Sequence, residues 1–188
     1  ELNAARPDGM TALMWAAQRG HVETAQCLVT AGAELEAKDE HGWAALMWAA
    51  QRGHVEIAQC LVTAGAELEA KATSVFEGMT ALILAVYNGH LETAQFLITA
   101  GAELNAKDKY GDTALTLAKT NEHEDIVKYL EEAIEDRAAR AEKEPAEAKA
   151  AKAEKEAAEN KAKLVAIEAR AAQAEKEAAD NKAKLEAI

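Results

Sequence analysis

Apolar positions in this chain recur at helical spacing, and the stretches that carry them recur as whole copies. Leu13, Ala16 and Ala17 fall at i, i+3 and i+4, and Val22, Ala25, Leu28 and Val29 repeat that spacing after Gly20. Two short amphipathic helices joined by a tight reversal are predicted, with Trp15, Leu13 and Leu28 filling gaps between alanines. Thr11 suits an N-cap, and Gly20 and Gly32 suit the left-handed residues that close helices. The stretch Gly9–Lys38 then returns as Gly42–Lys71 with three changes: Met10 to Trp43, Thr11 to Ala44 and Thr24 to Ile57. A near-copy at a fixed period indicates one structural unit stacked on itself, whereas a catalytic centre needs unlike groups assembled once.

Gly9, Gly42, Gly78 and Gly111 begin the same pattern at intervals of 33, 36 and 33 residues, the longer interval containing KATSVFEG. Four units follow, near residues 5–37, 38–73, 74–106 and 107–134. In the fourth, Thr116, Lys119, Asn121, Glu122, Glu131 and Glu132 make one side polar, as expected of a terminal cap. Its last helix meets no glycine stop and is expected to run on to Glu144. Glu1–Ala4 repeats Glu103–Ala106, so the chain is expected to be a piece of a longer array, natural or engineered, with an apolar face at its first unit.

From Glu135 onward the chain is almost entirely alanine, glutamate and lysine. Pro145 predicts a kink or break, with a long helix after it. Ala153–Ile167 recurs as Ala174–Ile188 with two changes, an offset of 21 residues or three heptads. Leu164, Ile167, Leu185 and Ile188 are the large residues of a seam that is otherwise mostly alanine and asparagine. A weak coiled coil, an isolated helix and a docked hairpin all remain open for this tail.

Composition narrows the function classes. Of the net charge of −12, residues 1–134 hold 9 Lys/Arg against 20 Asp/Glu. That imbalance argues against nucleic acid and anionic membrane as partners. No apolar run reaches membrane-spanning length and no leader opens the chain, so a soluble intracellular protein is expected. Cys27 and Cys60 occupy the same place in the two near-copies, within apolar AQCLV, and are expected to be free, buried thiols rather than nucleophiles. His21, His54 and His90 follow the inter-helix glycine and are expected to act as turn residues rather than metal ligands, since no second ligand type converges on them. Glu23, Glu56 and Glu92 suit the positive end of the second helix. No phosphate-cradling glycine pattern is present. No enzyme, cofactor or metal is therefore expected.

The order Gly-x-Thr-Ala-Leu-Met-x-Ala-Ala, then Gly-His-x-Glu, then Leu-x-x-x-Gly-Ala and a closing Lys-Asp resembles the ankyrin repeat over residues 1 to about 134. Ala12, Ala45 and Ala81 stand where that family usually has proline, and Met14, Met47 and Ile83 where it has histidine. The resemblance implies an all-α fold: an ankyrin-repeat solenoid of helix-turn-helix units joined by β-turn loops over residues 1–134, followed by a Pro-interrupted helical or coiled-coil extension over 135–188. It also implies a non-catalytic module that binds another protein along a groove formed by turn tips and first helices. Carried over by position, that groove comprises Pro7, Asp8, Met10, Gln18 and Arg19; Glu40, His41, Trp43, Gln51 and Arg52; Phe76, Glu77, Met79, Tyr87 and Asn88; and Lys109, Tyr110 and Asp112. Met10, Trp43, Phe76, Met79, Tyr87 and Tyr110 are its large apolar or aromatic side chains, with the tryptophan and the tyrosines as the expected anchors and the irregular turn with Val75 and Phe76 as the first specific contact. The runner-up reading is a natural or designed scaffold in which the tail self-associates and the array is a rigid arm.

Overall fold

Each unit forms the expected helix pair. The computed structural model describes residues 2–73 and 76–141. Among these, α1 (Ala12–Arg19) and α2 (Val22–Thr30) form the first pair, α3 (Ala45–Arg52) and α4 (Val55–Thr63) the second, and α5 (Ala81–Tyr87) and α6 (Leu91–Thr99) the third. The fourth pair is α7 (Ala114–Thr120) with α8 (124–141). No strand occurs among the described residues. The break expected at Pro145, the seam of Leu164, Ile167, Leu185 and Ile188, and Val75 of the third turn lie outside them. By contact density the chain separates into two units, Glu1–Asp136 and Arg137–Ile188.

Within the first unit the helices stack in two rows, α1 on α3 on α5 on α7, with α2 on α4 on α6 behind them. Alanine lets the rows approach closely: Ala16, Ala17, Ala49, Ala50, Ala85 and Ala118 are all buried. Equivalent positions show that each unit is covered by its predecessor. Leu28 is half-buried, whereas Leu61, Leu97 and Leu130 are fully buried; Thr24 is exposed, whereas Ile57, Thr93 and Ile126 are buried. Burying one leucine is worth about 1.5–3 kcal/mol, so the interfaces between units supply much of the stability. Met14, Met47 and Ile83, the departures from the histidine usual in the repeats that the sequence resembles, form a buried apolar column.

Three polar ladders run along the stack. The turn tips are linked by Glu40 N–H to the Asp8 carbonyl, Thr73 N–H to the His41 carbonyl and Lys109 N–H to the Glu77 carbonyl, at 3.0–3.1 Å. Beyond the second helices, the side-chain oxygens of Asn3, Glu36 and Glu69 accept from the N–H groups of Glu34, Glu67 and Glu103 at 2.7–2.9 Å. The third ladder is at the inter-helix turns. There a side chain on Gly20, Gly53 or Gly89 would come within 2.6–2.8 Å of the imidazole of His54, His90 or His123 in the next unit. These glycines also have φ of 73–76°, so both conformation and space exclude a Cβ. His90 Nε2 lies 2.9 Å from the Gln51 carbonyl oxygen and donates to it, in keeping with the turn role expected of these histidines.

The fourth unit ends the pattern. Where the others have glycine it has Glu122 at φ 59°, a conformation that carries some strain for a residue with a Cβ. Lys119 and Glu131 form a 2.8 Å ion pair on its outer side.

Capping follows the sequence unit by unit. Thr11, Thr80 and Thr113 accept from the N–H groups of Met14, Ile83 and Thr116, whereas Ala44 makes no side-chain cap. Ala44→Thr is therefore expected to raise unfolding free energy by about 1 kcal/mol, read as a higher urea midpoint at unchanged slope. An unmoved midpoint would show that α3 needs no cap.

Candidate functional site

Turn tips and the ends of α1, α3, α5 and α7 share one face, and an aspartate shapes the second and fourth tips. Asp39 Oδ1 accepts from the backbone N–H groups of His41 and Trp43 at 2.8 and 2.9 Å. Asp108 Oδ1 does the same for Tyr110 and Asp112. Each bond replaces a lost water contact at a nearly buried carboxylate. The ring N–H of Trp48 donates to the other oxygen, Asp39 Oδ2, at 3.0 Å.

The face differs from the expected one at three positions. Trp43 is 2% exposed, and Met10 and Met79 are buried. They point between successive turns, where stacking removes them from solvent. Trp43 packs at 4.6 Å against Trp48 and at 5.3 Å, edge-on, against Phe76, and Phe76 itself is half-buried. These residues are therefore an aromatic brace between the second and third units, not an exposed strip.

The remaining expected residues do lie at or near the surface. Arg19, Arg52, Glu40, His41, Glu77, Asn88 and Lys109 are exposed, Gln18, Gln51 and Asp112 half-exposed. Tyr87 is 43% and Tyr110 76% exposed. Lys109 lies 4.9 Å over the Tyr110 ring, and Glu40 lies 3.7 Å from His41. Both are exposed pairs of small energetic value.

Two residues outside the expected set belong to this face. Trp15 and Trp48, half-buried, line a cavity of about 220 Å³ between the first two units, together with Asp8, Gln18, Asp39 and His41. Trp15 had been expected to fill a core gap. It does pack against the core, and its outer side lies beneath the guanidinium groups of Arg6 and Arg19, at 5.3 and 5.2 Å. Its ring N–H has no acceptor among the described residues, because Arg6 stands where the second unit has Asp39. The available signal was the shared nine-residue spacing of Arg6 to Trp15 and Asp39 to Trp48.

The cysteines also depart from expectation. Cys27 is exposed and Cys60 half-buried, in a cleft between α2 and α4. Burial pushes the Cys60 thiol up from its ordinary range, which disfavours the nucleophilic thiolate. No cluster of His, Cys, Asp and Glu able to hold a metal ion occurs among the described residues, and none of their helices is long and apolar enough to cross a membrane.

The family model described as ankyrin repeats (3 copies) matches residues 1–72 and again 67–139. No curated protein matches the chain.

The reassignment of Trp43 gives a direct expectation. Trp43→Ala should cost about 3–5 kcal/mol of stability, whereas Tyr87→Ala, at an exposed position, should stay within about 0.5 kcal/mol of the native protein. Urea denaturation followed by circular dichroism measures both. Equal, small effects would return Trp43 to the exposed face.

Proposed function

The chain belongs to the ankyrin-repeat family, whose members are generally protein–protein interaction modules, and from that premise we propose that it holds a partner protein along its turn tips and first helices. The half-buried indoles of Trp15 and Trp48 at the cavity between the first two units carry this reading. Tryptophan and tyrosine lose little conformational freedom on binding and present a large apolar area, so they anchor interfaces. Tyr87 and Tyr110 continue the same face, and Arg19, Arg52, Glu40, Glu77 and Lys109 supply a polar rim. The acidic excess of residues 1–134 favours a partner with basic character.

No catalytic role is part of this proposal. His54, His90 and His123 are engaged in stacking, and burial shifts the Cys60 thiol away from reactivity. For residues 135–188 we propose a helical spacer whose alanine-rich seam adds at most weak self-association, a reading supported by the three-heptad duplication.

Affinity capture with matched variants tests the assignment of the face. Three forms are compared as bait: the native chain, a front-face variant with Arg52→Ala and Tyr87→Ala, and a rear-face variant with Gln26→Ala and Gln59→Ala. The expected result is a protein retained by the native and rear-face forms and retained at least tenfold less by the front-face form, a loss of about 1.4 kcal/mol or more. Equal retention by all three, or loss only in the rear-face variant, would remove this face as the binding site.

A further inference from the structure

The cavity between the first two units is lined by two tryptophans set on one plan, with opposite charge at the turn residue nine positions before each. In the first unit Arg6 lies over the ring of Trp15, nine residues on, at 5.3 Å, and Arg19 lies over the same ring at 5.2 Å. In the second unit the ring is Trp48, and the residue equivalent to Arg6 is Asp39. No cation lies over the Trp48 ring among the described residues; Arg52, equivalent to Arg19, is exposed and makes no such contact.

Asp39 is an unusual group to place there. It is 8% exposed, and its hydrogen-bond partners are neutral: two backbone N–H groups and the Trp48 ring N–H. Three neutral donors hold this carboxylate and no cation is paired with it among the described residues, so a cation brought within reach of so buried a site is attracted more strongly than it would be in water. Asp8 and Glu40 add two carboxylates at the rim of the same cavity, set against the His41 imidazole, which lies 3.7 Å from Glu40.

We propose that this cavity receives an arginine side chain of the partner protein, its guanidinium placed against the Trp48 indole within reach of the Asp39 carboxylate. The first unit points to the ligand, since guanidinium groups of the chain itself lie over its Trp15 ring, while the Trp48 ring, which has Trp43 packed against it at 4.6 Å, is reached from the cavity that it lines. A planar guanidinium stacks on an indole and pairs with a carboxylate through directed N–H groups, both of which a lysine ammonium does less well. The proposal rests on the front face being the binding face and specifies what one part of it recognises.

The test uses the full chain, labelled with nitrogen-15. Its three tryptophans give three ring N–H signals, and the His41 backbone N–H reports on Asp39 independently. The probes are the blocked tripeptide Gly-Arg-Gly and its citrulline counterpart, which has the same shape without the charge. The arginine peptide should shift the Trp48 ring N–H and His41 signals in a saturable way, with a dissociation constant about tenfold or more below that of the citrulline peptide.

Trp48→Leu, read at His41, and Asp39→Asn, read at Trp48, should each abolish the difference between the peptides. Leucine already occupies the Trp48 position in the third and fourth units, as Leu84 and Leu117, so Trp48→Leu should fold even if Asp39→Asn does not. Equal shifts from both peptides, or movement of the Trp15 signal alone, would overturn the arginine assignment. Loss of captured partner on changing Arg52 and Tyr87 would be unaffected by that result, so the two readings fail separately.

Discussion

The imidazole of one unit resting on the bare backbone of the unit before it is the contact on which the repeat region depends. His54 sits over Gly20, His90 over Gly53 and His123 over Gly89. In each case the space is too small for a Cβ, and the glycine's left-handed conformation also excludes one. This seat fixes the distance between units, which in turn decides what is buried elsewhere. It brings Leu61, Leu97 and Leu130 to full burial beside the preceding pair while Leu28 stays partly open. It also sets the spacing at which turn tips exchange backbone hydrogen bonds and at which Asn3, Glu36 and Glu69 reach the next unit. At Glu122, which stands at φ 59° where the earlier units have glycine, the fourth unit presents a residue with a side chain instead of bare backbone.

Much of this was legible in the sequence because the same physical problem is solved four times. The 33-residue period, the helical spacing of Leu13, Ala16 and Ala17, the cap at Thr11 and its loss at Ala44, and the polar outer side of the fourth unit are local properties, and the structure repeats them residue by residue. The front face was legible only in part. Tyr87, Tyr110, Arg19 and Arg52 are exposed as expected, but Met10, Trp43 and Met79 turn inward. A turn residue looks exposed when its unit is read alone; only its neighbour's position, through stacking, reveals that it is covered. The cysteines fail for a related reason: a single apolar context, AQCLV, gives different burial at Cys27 and Cys60 because the two have different neighbours.

Trp15 and Trp48 illustrate a different limit. Both fall just off the stripe of alanines that marks the packed side of the first helix, so a reading based on periodicity makes Trp15 a gap-filler and does not single out Trp48. Their role depends on a residue nine positions earlier on a turn, and on whether that residue is Arg6 or Asp39. The near-copies diverge in charge at the point where they would otherwise present the same surface twice. A stack of similar units can in this way carry distinct recognition positions without disturbing the contacts that hold it together, because the turn tips and the seats between units are different parts of each repeat.

The most direct test of the account is the unfolding free energy of Gly53→Ala measured beside that of Gly65→Ala. Both glycines have positive φ, but the position of a side chain at Gly65 is open whereas at Gly53 it meets His90 at 2.6 Å. An alanine in the left-handed region costs about 1–2 kcal/mol, and Gly65, at φ 98° against 73° for Gly53, is no easier a place for one, so a larger loss at Gly53 reports the seat. The account predicts that Gly53→Ala loses at least about 1–3 kcal/mol more than Gly65→Ala, the usual cost of forcing extra bulk into a packed site. Equal losses would contradict it, because the contact between glycine and imidazole would then not be what holds the units in place.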